Sequence, residues 1–167
     1  QEQQGGIVFT QNTAISVAGN SDSGNGGAIC STHPGSKVLF QGNREILFQQ
    51  NSGTLGGAIN VDLGSLKFLN NLCSVSFLDN HAQSGGAIHA TTCCFLSQKG
   101  PITFEGNRSE KSGGAICSQN LLFEDNDRVL FNSNSSPTGG AISALTCSLI
   151  AKGNITFMNN TSKTSGG

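Results

Sequence analysis

The side chains able to do chemistry are few and dispersed. Six cysteines, Cys30, Cys73, Cys93, Cys94, Cys117 and Cys147, could form disulfides, hold a soft metal or act as nucleophiles. No two have the Cys-x-x-Cys spacing of a zinc knuckle, and the adjacent Cys93 and Cys94 are too close in sequence to chelate one ion. Acid–base cleavage of a glycan needs carboxylates converging on one outer face. Asp79, Glu105 and Asp125 are the candidates, but they do not share one strand position in the rhythm set out below. His33, His81 and His89 occupy three different places in that rhythm, and a single histidine at each makes no metal or catalytic set. The mixed-charge run Arg108-Ser109-Glu110-Lys111 reads either as a solvated corner or as a receptor contact through Arg108, Glu110 and Lys111. Lys37, Arg44, Lys67, Lys99 and Lys152 are scattered, a weak basis for binding polyanions. The expectation is a chain with no catalytic residues, no metal and no cofactor.

The elements that must position these residues repeat. Gly26-Gly27-Ala28-Ile29 returns as Gly56-Gly57-Ala58-Ile59, Gly85-Gly86-Ala87-Ile88, Gly113-Gly114-Ala115-Ile116 and Gly139-Gly140-Ala141-Ile142, and Gly166-Gly167 begins another. The first glycines are 30, 29, 28, 26 and 27 residues apart, the signature of stacked units. A second motif, Phe-x-x-Asn, falls at Phe9/Asn12, Phe40/Asn43, Phe48/Asn51, Phe68/Asn71, Phe77/Asn80, Phe104/Asn107, Phe123/Asn126, Phe131/Asn134 and Phe157/Asn160. Val17/Asn20 and Leu149 fit the phase as worn copies, and Phe95 is followed by Gln98 where asparagine is expected.

In phase, each unit holds three segments: one after the glycine pair, one anchored by Phe9, Phe40, Phe68, Phe95, Phe123 or Leu149, and one anchored by Val17, Phe48, Phe77, Phe104, Phe131 or Phe157. An apolar residue precedes most anchors by two positions, as in Val38, Ile46, Leu66, Val75 and Ile102, which puts both side chains on one face of a strand. Three short strands per unit predict an all-β, right-handed parallel β-helix of about six coils, with handedness taken from the general crossover preference. Phenylalanine and branched aliphatics fill the bore. Glycine pairs serve corners of positive φ where a Cβ would also crowd the next coil, and asparagines tolerate the left-handed conformation and stack as amide ladders. Both motifs are scaffold. Varied side chains at the corners before each glycine pair, and in the insertion Thr32-His33-Pro34-Gly35, are the surface available for binding.

In this register Cys30 and Cys117 share a slot three coils apart, roughly 14 Å, too far for a disulfide. Cys93 and Cys147 share an inward slot two coils apart with Leu121 between them. Cys94 then points outward, an exposed thiol suited to intermolecular cross-linking.

Composition narrows the class further. A net charge of -1 with 11% charged residues gives no basic face for nucleic acid, and no apolar run reaches the roughly 18 residues of a membrane-spanning helix. The expected chain is not itself membrane-embedded. The 23 glycines, and ten phenylalanines with no tryptophan or tyrosine, suit short strands joined by tight turns.

Five Gly-Gly-Ala-Ile tetrapeptides interleaved with nine Phe-x-x-Asn copies resemble the chlamydial polymorphic outer-membrane proteins, over the stretch from Phe9 to Gly167. Members of that family are autotransporters, with a signal peptide, an exposed passenger of such repeats and a membrane β-barrel. Residues 1–167 resemble the passenger alone, read as a single β-helix segment of a longer protein without its signal peptide and barrel. The resemblance implies a bacterial outer-membrane, surface or secreted location. It implies adhesion to a host cell-surface receptor, the epidermal growth factor receptor among the candidates, and association with other passengers. It also links adhesion to the two motifs. A buried ring cannot touch a receptor, so the motifs are expected to act by maintaining the coil while neighbouring outward residues make contact. A non-binding spacer or immune decoy is the alternative, and a glycan-active enzyme the remote one.

Overall fold

Alternating inward apolar and outward polar residues, interrupted by glycine pairs and by Phe-x-x-Asn corners, put nearly every segment of this chain into strands. The computed structural model describes residues 6–15 and 24–166, and these are all β with no helix. In chain order the strands are β1 (Ile7–Thr10), β2 (Ile29–Ser31), β3 (Lys37–Gln41), β4 (Ile46–Gln49) and β5 (Ile59–Leu69). There follow β6 (Val75–Leu78), β7 (His81–Ser84), β8 (Ile88–Leu96), β9 (Ile102–Glu105) and β10 (Arg108–Ser112). The last are β11 (Ile116–Asn132), β12 (Ser135–Thr138), β13 (Ile142–Met158) and β14 (Thr161–Ser165). Every pairing is parallel and joins corresponding segments of successive units, giving a β-solenoid of about five turns rather than six.

The columns are in register. After the glycine pairs, Ile29, Ile59, Ile88, Ile116 and Ile142 stack one above another. In the second column Phe40, Phe68, Phe95, Phe123 and Leu149 do the same. The third aligns Phe9, Phe48, Phe77, Phe104, Phe131 and Phe157. Rings within a column lie parallel at 4.6 to 5.0 Å between centroids. Between columns, Phe40, Phe68, Phe95 and Phe123 meet Phe48, Phe77, Phe104 and Phe131 edge to face at 5.7 to 5.8 Å. Both geometries suit the ring quadrupole and add to the stabilisation from burial.

Three sequence expectations need correction. Phe9 stands in the third column, paired with Phe48, and not in the second. Its distance to the next glycine pair matched the second anchor because the corner between Asn12 and Gly26 is longer than in later coils. Val17 and Asn20, assigned to the third segment, lie outside the described residues.

Secondly, a fourth column accompanies the three expected ones. Strands β7, β10, β12 and β14 form their own four-stranded parallel sheet, so the run Arg108-Ser109-Glu110-Lys111 is a strand and not a loop. Its inward residues are Ala82, Ser109 and Ser136, too small and polar to show an apolar rhythm.

Thirdly, the motif asparagines do not take the left-handed conformation. The residue before each one does: Gln11, Gln50, Asn70, Asp79, Asp125, Ser133 and Asn159 have φ of 50 to 56°, and Gly42 and Gly106 fill the same place. The glycine pair divides its labour similarly. First glycines have φ of 60 to 69°, whereas a Cβ on a second glycine, as at Gly86, would overlap the Gly114 carbonyl of the next coil.

Candidate functional site

Both repeat motifs face inward. Phe48, Phe68, Phe77, Phe104, Phe123 and Phe131 are fully buried, as are Ala58, Ile59, Ala87, Ile88, Ala115 and Ile116. Among the described motif residues, exposure rises only toward the ends of the stack, where Phe157 is 47% exposed.

The asparagine side chains form a continuous polar spine inside the corner. Asn80 shows the unit: its Oδ1 accepts from both the backbone N–H and the Nδ2 of Asn51 at 3.0 Å, while its Nδ2 donates to Asn107 Oδ1 at 3.0 Å and to the Phe48 carbonyl at 3.0 Å. All four hydrogen-bonding positions of the amide are used, which makes full burial tolerable. The spine runs from Asn12 through Asn51, Asn80, Asn107 and Asn134 to Asn160. A second spine links Asn43, Asn71, Gln98 and Asn126. Gln98 keeps the spine with a changed connection, because its longer side chain donates to the Phe68 and Leu96 carbonyls and leaves only its backbone N–H for Asn126.

What remains for recognition lies outside. On β10, Arg108, Glu110 and Lys111 are exposed as expected, although they stand on a strand. Lys111 Nζ donates to Gln83 Oε1 at 3.0 Å, and Glu110 lies 3.8 Å from His81 across the coil boundary. Beside them a groove of about 420 Å³ runs over β10, β12 and β14, lined by Arg108, Glu110, Pro137, Lys163 and hydroxyl side chains. Lys163 was not among the sequence candidates. Only the fourth column brings it into one groove with Arg108, with β12 between them, and nothing in the phase of the repeats marked that column.

The thiols distribute differently from the expectation. Cys94 does point away from the core strand positions Cys93 and Phe95, but it is only 9% exposed. It lies in register between Lys67 and Leu122 on the neighbouring coils. Burial pushes its thiol above the ordinary range, with Lys67 opposing and Glu124 reinforcing, so Cys94 is neither open nor activated for cross-linking. Cys93 is fully buried and shifted further up by the same desolvation. Cys30, Cys73 and Cys147 are the exposed cysteines, Cys147 because its inward slot lies in β13.

The shared slot of Cys30 and Cys117 holds Asn60 and His89 between them. His89 Nδ1 meets Asn60 Oδ1 at 3.0 Å, and burial lowers the imidazole below its usual value against the pull of Asp62. The carboxylates do not assemble. Asp79 and Glu105 stay at the third-column corner, where Glu105 accepts from Asn132 Nδ2 at 2.9 Å, and Asp125 stays at the second-column corner. No group of three His, Cys, Asp or Glu able to hold a metal occurs among the described residues.

With that geometry in place, comparison with known proteins identifies the repeats. The model of the Chlamydia polymorphic membrane protein repeat matches residues 6–32, 74–91 and 101–119. The chain carries chlamydial polymorphic membrane protein repeats. The first matched block includes the glycine pair that precedes β2, and the other two each span a third-column strand and the next glycine pair. The chain is 40% identical over 96% of its length to the probable outer membrane protein pmp19 of Chlamydia pneumoniae. It is 31% identical over 86% to pmp6 of the same organism, and 34% identical over 83% to the probable outer membrane protein PmpD of Chlamydia trachomatis serovar D. It spans 17%, 13% and 10% of the lengths of these relatives. No solved structure matches the chain significantly. These relatives are named as outer membrane proteins and not as enzymes.

Proposed function

We propose that this chain is an exposed passenger segment of an autotransporter adhesin, attaching the bacterium to host cells through outward side chains held on the rigid polymorphic membrane protein coil. The observation that carries this reading is the partition of the sequence: what repeats is inside, and what varies is outside. Its partners are then a host-cell surface receptor and neighbouring passengers, each met by many weak contacts whose free energies add along the coil. The Arg108, Glu110 and Lys111 edge with the adjoining groove is the contact we favour, because it sets charge of both signs beside hydroxyl groups on an exposed sheet face. We favour binding over catalysis because the relatives are named as outer membrane proteins, and of the three carboxylates Asp125 stands at a different corner from Asp79 and Glu105.

Binding of the folded chain to cultured host cells tests this. Triple substitution of Arg108, Glu110 and Lys111 by alanine is expected to lower cell binding with an unchanged circular dichroism spectrum. A parent chain that folds and binds no cells would favour the stalk or decoy reading. That reading draws on the uniform core stacking along the coil.

A further inference from the structure

The outward row on the first column joins Cys30, Asn60, His89 and Cys117 on four successive coils. Adjacent members are one strand spacing apart, roughly 4.8 Å. Asn60 is fully buried in this row, and its Nδ2 lies 3.8 Å from Cys30 Sγ. Its Oδ1 faces His89 Nδ1 at 3.0 Å. An amide oxygen only accepts, so Nδ1 carries the imidazole proton and Nε2 keeps its lone pair. That contact occupies Nδ1 and leaves Nε2 free, and Cys117 stands in register with His89 on the next coil. His89 and Cys117 line one hollow of about 130 Å³, together with Asp62, Thr91, Ser118 and Gln119. Cys117 is partly exposed there, and Ser112 Oγ lies 3.5 Å from its sulfur.

We infer that Cys117 is a selectively reactive thiol, with His89 as its base and Asn60 as the residue that positions His89, and that it takes up small-molecule disulfides as a mixed disulfide. His89 Nε2 accepts the proton of the Cys117 thiol, and Ser112 Oγ turns to donate to the thiolate. The sulfur attacks one sulfur of a disulfide RSSR, forming the Cys117–S–S–R bond as the R–S–S–R bond breaks. The leaving RS⁻ takes the proton from His89 and departs as RSH. No other oxidant is needed, and His89 returns to its starting state. The charged or titratable groups facing this pair are Asp62, which favours the imidazolium formed in transit, and Cys30 beyond Asn60. Burial keeps the resting His89 neutral and available as acceptor.

The test is reaction of the full chain with glutathione disulfide, reading the mixed disulfide at each cysteine by peptide mass spectrometry over time. Cys117 is expected to react about tenfold faster than the more exposed Cys30 and Cys73 at neutral pH. Its pH–rate profile should break at the titration of His89, a break absent from Cys30 and Cys73. His89→Gln, which keeps a partner for Asn60, should bring the Cys117 rate down to that of Cys30 while the other thiols are unchanged. Equal rates at Cys117 and Cys30 in the parent chain would overturn the inference. So would a Cys117 profile without the extra break, which the parent chain alone reports even if the variant fails to fold. Cell adhesion plays no part in this readout, so the two readings fail independently.

Discussion

The buried amides carry most of the specificity at the residue scale. Asn80→Ala removes four hydrogen bonds and strips the buried Asn51 backbone N–H and the Phe48 carbonyl of their partners in the spine, at about 1 to 3 kcal/mol for each group left unsatisfied, while Asn107 Oδ1 keeps the backbone N–H of residue 80. The expected loss of several kcal/mol is measurable by urea unfolding, and a change below about 1 kcal/mol would show that the spine is not stabilising. Gln98→Asn is the opposite case. It shortens the one interrupted rung so that the amide can reach Asn126, and it is expected to hold stability within about 1 kcal/mol of the parent. His89 supplies a pH dependence. Its folded value lies below its ordinary 6.5, so in acid the unfolded chain binds a proton that the folded chain does not. The coil is therefore fully stable above that ordinary value and loses stability as the pH falls through it. Urea titrations at neutral and mildly acidic pH should show this loss in the parent and a smaller one in His89→Gln. The motif positions were legible in the sequence because identical amides must recur wherever a spine runs. The left-handed residue before each asparagine was not, since Gln, Asn, Asp, Ser and Gly all fill that place and no residue type announces it.

Glycine pairs and corners decide matters among the elements. Gly86→Ala would drive a Cβ into the Gly114 carbonyl and the Arg108 backbone of the next coil, where nothing flexible can yield. Gly35→Ala meets no atom within 4 Å and carries only the cost of a φ of 75°, about 1 to 2 kcal/mol. Thermal unfolding is expected to show a much larger drop for the first than for the second, and similar drops would contradict the close coil-to-coil approach. The first three columns could be read from sequence because their inward residues are large and spaced by two. The fourth could not. Ser109 and Ser136 pair through their hydroxyls at 2.9 Å, and such a strand has the composition of a loop until its neighbours supply the ladder. The groove over Arg108 and Lys163 was hidden for the same reason.

Over the whole molecule, stability is a sum over neighbouring coils. Phe104 stacks between Phe77 and Phe131 and meets Phe95 edge to face, so Phe104→Ala should cost about 3 to 5 kcal/mol. Phe157 stacks on Phe131 alone and is half exposed, so Phe157→Ala should cost markedly less by equilibrium unfolding. The near-constant period and the alternation of large apolar residues determined a parallel coil of repeated units from sequence alone, since a periodic chain can bury a periodic apolar face only by stacking on itself. Tertiary structure alone decided which column Phe9 joins, since identical motifs fit two columns equally well until backbone pairing selects one. It also decided that Cys94, outward by alternation, is covered by the side chains of adjacent coils, and that His89 meets Asn60 and shares a hollow with Cys117. Those relations hold between residues nearly thirty positions apart, and only the pitch and register of the coil bring them within reach.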